Sequence, residues 1–126
     1  MNNTGFTEQY HDIVERAQYC LEKARREGLL ALDEELDHEK IDERDIFEYG
    51  LRFVIDGISR EFVDMILSNI IDQEKDEQSK KLKTIQKEAV LIIQRGLNPS
   101  ILLAALNSLT GLSLKEDTRL KDYYAN

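Results

Sequence analysis

"IFEYGLRFVIDGISREFVDMILSNII" runs from Ile46 to Ile71, and its reading decides the fold. Ile46, Phe47, Gly50, Leu51, Val54 and Ile55 recur at the spacing of one helical face, and Gly57 ends the pattern. Ser59 opens a second stripe, with Phe62, Val63, Ile66, Leu67, Ile70 and Ile71 facing inward. So few residues separate the two stripes that they must form an antiparallel helical hairpin. No alternating pattern competes here or elsewhere, which predicts an all-α fold: a compact bundle of about five to seven helices, several of them short.

Upstream, Tyr10, Ile13, Val14, Ala17, Cys20, Leu21 and Ala24 form another stripe. Thr7 reads as its N-cap, and Lys23, Arg25 and Arg26 suit the negative end of the helix dipole. Gly28 then stops it. "LLALDEEL" (Leu29–Leu36) reads as a short helical piece in which Leu29, Leu32 and Leu36 share a face while Asp33, Glu34 and Glu35 project away. "DHEKID" is a connection, and Asp42 reads as the cap of the next helix.

Downstream, "DQEKDEQSKKLK" (Asp72–Lys83) is polar but rich in helix formers, so it reads either as a solvated helical stretch or as a flexible bridge. Leu82, Ile85, Ala89, Ile92 and Ile93 restore a stripe that Gly96 closes. Asn98 as N-cap and Pro99 at the first helical position make a strong helix start, and Gly111 closes that helix. Ser113 and Glu116 have capping-box spacing, which suggests a weak terminal helix from Leu114 toward Tyr124 or a frayed tail.

The chain has 126 residues, 41% hydrophobic and 33% charged, with a net charge of −8. That suits a single domain, and its charge repels bulk nucleic acid and anionic lipid. The single cysteine, Cys20, excludes an internal disulfide and fits a reducing compartment. No apolar run approaches the ~20 residues that span a bilayer. "MNNTGFTEQY" lacks the basic and apolar regions of a signal peptide. The expectation is a cytoplasmic protein that does not itself insert into membrane.

The chemistry-bearing residues favour no reaction. His38 stands among Asp33, Asp37 and Glu39, but the spacing matches no zinc or calcium pattern. Cys20 lies on an apolar stripe, where a thiol is a small hydrophobe. The glycines form no phosphate loop. "ARRE" and "KKLK" are short, flanked by acids and not interleaved with aromatics, so they read as solvated helix faces rather than nucleic-acid sites. The residues predict no enzyme, no catalytic residues, no metal and no cofactor. What is left is an acidic, all-α binding module.

"ARREGLLALDEEL", followed by "FEYGLRFVIDGISREFVDMIL", resembles the MotA family of flagellar stator proteins, in the cytoplasmic loop between the second and third membrane helices. The residues that carry the resemblance are Arg25, Arg26, Gly28, the Leu29–Leu32 run, Asp33, Gly50, Asp56 and Gly57. "KEAVLIIQRGLNPSILLAALNSL" is similar to that family's tail after the fourth membrane helix, through Ile93, Gln94, Gly96, Asn98 and Pro99. By this resemblance residues 1–126 form one MotA-like cytoplasmic domain: 7–71 the loop, 72–83 a polar bridge, 84–111 the tail and 112–126 the weak end. The family's four membrane helices are missing, including the pair expected between Ile71 and Lys83. An excised loop-plus-tail and a stand-alone relative without a pore both fit.

The resemblance implies binding to a rotor protein of the FliG kind for torque transmission. In the family a basic residue three before the glycine and an acidic residue five after it meet opposite charges on the rotor. Those places are Arg25 and Asp33 here. The family usually has Glu at the second; Asp33 is a methylene shorter, and Arg26 and Glu34 are neighbours able to substitute. The alternative is a self-associating helical scaffold or regulatory adaptor of the motor without rotor contact. It would use the Ile101–Leu109 helix, which is apolar nearly all round.

Overall fold

A computed structural model describes residues 4–112. Among them the chain is all-α. The order is α1 (Thr4–Glu27), a 3-10 helix (Leu29–Glu35), α2 (Ile46–Ile55), α3 (Arg60–Ile71), α4 (Glu77–Arg95) and α5 (Pro99–Ser108). The expected helix from Leu114 lies outside the described residues.

The organising element is α4, which packs against α1, α2, α3 and α5. Its residues Ala89 to Ile93 are all buried, so α4 is enclosed on every side over that turn and a half. A helix in that position must be apolar all round, which "AVLII" is. Each such Val, Leu or Ile contributes about 1.5–3 kcal/mol by leaving water. Gln94 sits just beyond, and its amide donates to the Ile58 carbonyl at 2.8 Å, tying the end of α4 to the α2–α3 turn.

The hairpin of α2 and α3 forms as its stripes require. Ile46, Phe47, Leu51 and Val54 are buried on α2, and Val63, Leu67 and Ile71 on α3. Gly50 faces the junction. A Cβ there would stand 2.9 Å from Leu67 Cδ1 and 3.0 Å from both Val90 methyls, so the bare backbone lets α2 approach α3 and α4 closely. Phe62, expected inward, is instead exposed at 50%. The buried stripe of α3 repeats every four residues through Val63, and a residue one step away is turned about 100° toward solvent.

Two expected caps are corrected. Thr7 does not start α1, which is already helical at Thr4. The reason is Phe6, which extends the stripe through Tyr10 and Val14 and is buried. Asp42 does not cap α2. Asp45 does, accepting from the Glu48 N–H at 3.2 Å. Asp42 instead accepts from the Arg44 N–H at 2.9 Å and from its Nε at 3.1 Å, which holds its carboxyl below the usual range.

The polar stretch 72–83 divides. After a turn, Asp76 caps α4 by accepting from the Ser79 N–H at 2.9 Å, and the rest is the first part of that helix. Lys83 bonds Glu74 at 2.8 Å and fastens the turn to it. Asn98 caps α5 through the Ile101 N–H at 3.0 Å, with Pro99 next. The apolar residues Leu102, Leu103 and Leu106 of α5 are buried by this chain's own core, whereas Ile101 is exposed.

Candidate functional site

The candidate surface is built where α1 stops. Gly28 has φ 94° and ψ 159°, a backbone conformation that is essentially reserved for glycine. Its N–H still bonds the Ala24 carbonyl at 2.7 Å, so the chain leaves the helix abruptly rather than fraying. Leu32 then enters the core, and Leu29 and Leu36 pack beside it half-buried. With that face inward, the rest of the 3-10 helix is turned outward: Leu30 is 73% exposed, and Asp33 and Glu34 are exposed.

Arg25 and Arg26 occupy the last turn of α1, both exposed, with no carboxylate paired to either among the described residues. They and the acids therefore lie on the two sides of the Gly28 turn. Arg25 and Asp33 are not locked onto each other. Asp33 meets His38 instead: the His38 Nε2 lies 3.2 Å from Asp33 Oδ2 and 3.2 Å from the Asp33 carbonyl. Glu34 lies 3.5 Å from Lys23 Nζ.

Lys23 is the residue the sequence undersold. It reads as a last-turn cation, but its side chain is 7% exposed and bonds Glu35 Oε2 at 2.9 Å. That bond, followed by the nearby Glu34 charge, raises its pKa above the ordinary lysine value despite the opposing effect of burial. The signal was present: Lys23 falls between Leu21 and Ala24, at the edge of the buried stripe.

A second set of groups, also missed, holds the connection 37–45. The Arg52 Nη2 donates to the Asp37 carbonyl, and to the Lys40 carbonyl at 3.1 Å. Glu48 Oε1 accepts from the Asp37 N–H at 2.6 Å and from Arg52 at 3.2 Å. Arg16 lies over the Phe47 ring at 4.7 Å, with Glu48 at 3.8 Å. Apart from the Glu48–Arg52 pair, which has i,i+4 spacing, nothing in local periodicity announces these contacts, because they join residues about a dozen or more places apart.

Cys20 is buried, and loss of solvent pushes its thiol up to about 11. Among the described residues no three His, Cys, Asp or Glu side chains are grouped to hold a metal ion. Nor is any helix there long and apolar enough to cross a membrane. The surface on the two sides of the Gly28 turn carries exposed charges of both signs and an exposed leucine.

No family model matches the sequence, and no solved structure matches it. Among curated proteins, Motility protein A of Treponema phagedenis is 34% identical over 80 residues, 64% of this chain. The chain has a MotA-like relationship. It spans 30% of the length of that relative.

Proposed function

We propose that this chain is a single MotA-like domain on the stator side of a flagellar motor, lying at the cytoplasmic face of the inner membrane. It binds a rotor protein of the FliG kind through Arg25 and Asp33, with Arg26 and Glu34 alongside, and carries out no catalysis. The observation that supports this is the pair of exposed guanidinium groups, without a carboxylate partner among the described residues, set across the Gly28 turn from exposed carboxylates, in a chain similar to Motility protein A. Charges at the rim of a contact set encounter rate and register more than tightness. That suits a contact made and released at each step of rotation.

The test is charge reversal. Arg25→Glu and Asp33→Lys each weaken binding of a FliG-like rotor protein by about 3- to 10-fold at low salt, with a smaller loss at high salt and an unchanged helical circular dichroism spectrum. Unaltered affinity for both variants at both salt concentrations rejects the charge mechanism.

A further inference from the structure

The carboxylate assigned to the rotor contact is not solitary. The His38 ring nitrogen Nε2 reaches both the Asp33 carboxylate and the Asp33 carbonyl, each at 3.2 Å. One N–H shared between these two oxygens fixes the side chain relative to its own backbone. Both side chains are also more than half exposed, so a partner can reach the pair.

Several of the neighbouring charges are engaged elsewhere. On α1, Lys23 bonds Glu35 and lies near Glu34. On α2, Arg52 and Glu48 hold the backbone of residues 37 and 40. Within the connection, the Asp37 carboxylate accepts from the Glu39 N–H at 3.0 Å, and Glu39 and Lys40 project into solvent. The Asp33 carboxylate is the group that His38 touches.

We propose that His38 is a positioning residue for Asp33 that also sets how much negative charge this surface presents, so that the interface weakens in acid. This rests on the rotor-binding reading above and adds a regulation to it. While the imidazole is neutral, Asp33 offers a full negative charge to a lysine or arginine of the partner. Once the imidazole is protonated, the pair sums to zero and the same cation is held less firmly. Imidazoles as a class change charge between about pH 5 and 8, which sets the range over which the interface is examined.

The experiment measures binding of the FliG-like rotor protein from about pH 8 to about pH 6 for the wild type, His38→Gln and His38→Ala. Wild-type affinity falls about 3- to 10-fold across that range beyond any slope shared with His38→Gln. The glutamine amide keeps a donor without a titrating charge, so His38→Gln matches the wild type at the alkaline end, while His38→Ala is weaker there. Equal slopes for wild type and His38→Gln overturn the regulation, and His38→Ala binding like the wild type overturns the positioning.

A partner-free arm separates this from failure of the rotor reading. The Asp33 carboxylate carbon, followed by NMR, shows an inflection in the imidazole range that disappears in His38→Gln. Its absence from the wild type overturns the pair outright. An inflection together with no rotor binding at any pH sinks the rotor reading and the regulation drawn from it.

Discussion

Gly50 lies against Leu67 so closely that a methyl group on its Cα would stand 2.9 Å from Leu67 Cδ1. Leu67 and Val90, the other neighbour, are both fully buried, so their methyls have little free space to move into. Gly50→Ala gains about 1 kcal/mol of helix propensity. It loses about 1–3 kcal/mol by overpacking. The contact distances place the steric cost toward the upper end, so the net outcome is a loss of about 1 kcal/mol and a lower melting temperature. Gly50→Val adds two further methyls and loses more. Thermal denaturation of the two variants checks the order.

Arg52→Ala frees the connection 37–45. The lost bonds run from a charged group to two main-chain carbonyls and a carboxylate. Hydrogen bonds of that kind contribute about 1.5–3 kcal/mol each when buried, and less where water can replace them, as it can here. The expected outcome is about 1–2 kcal/mol of lost stability, with faster hydrogen exchange concentrated at residues 37–45 and α4 unaffected. Exchange mass spectrometry separates this local loosening from general destabilisation.

Cys20 will be inert in the folded protein. Burial raises its thiol to about 11, so at pH 8 almost none is thiolate, and the group is covered by core side chains. A disulfide reagent added at pH 8 therefore reacts with no thiol until denaturant is added, and then with one per chain. Rapid labelling under native conditions contradicts the packing of α1.

The Asp64–Lys87 bond of 2.9 Å joins α3 to α4 and makes stability depend on pH at both extremes. The Lys87 hydrogen bond holds the Asp64 carboxyl below its ordinary value. That stabilisation is complete above the unfolded aspartate value of about 3.9 and disappears as pH falls through the lower folded value. Burial alone would lower Lys87, but the Asp64 bond and the Glu88 and Asp64 charges together raise it. Its contribution is complete below about pH 10.4 and is lost as pH rises through the raised folded value. Asp64 is 40% exposed, so solvent screens the pair to about 1 kcal/mol or less. Urea midpoints should fall at both ends for the wild type, and Asp64→Asn should lose this part of the pH dependence.

The helical stripes were legible because a helix's neighbours are three and four places away in sequence. Phe47, Leu51, Val63, Leu67, Ile85 and Ile93 can all be placed in the core from spacing alone, as can the Asn98 cap. Phe62 cannot, since its neighbour Val63 takes the buried position and only the crossing of α3 with α4 decides between them. Asp42 and Asp45 carry the same capping chemistry, and local sequence does not choose. For the candidate surface, the exposure of Asp33 and Glu34 follows from the inward turn of Leu32, and that of Arg25 and Arg26 from their place beyond the buried Leu21 and Ala24 stripe of α1. The His38–Asp33 contact and the Lys23–Glu35 bond depend on how the chain folds back after Gly28, which no periodicity encodes.

That fold-back has a mechanical side. Lys23 anchors the 3-10 helix to α1 through Glu35, while Leu32 is wedged into the core beneath it. The 24 residues of α1 make a rod about 36 Å long. A sideways push on Asp33 or Glu34 is therefore not absorbed by a slack loop: it enters that rod near its tip, and the whole body must swing with it.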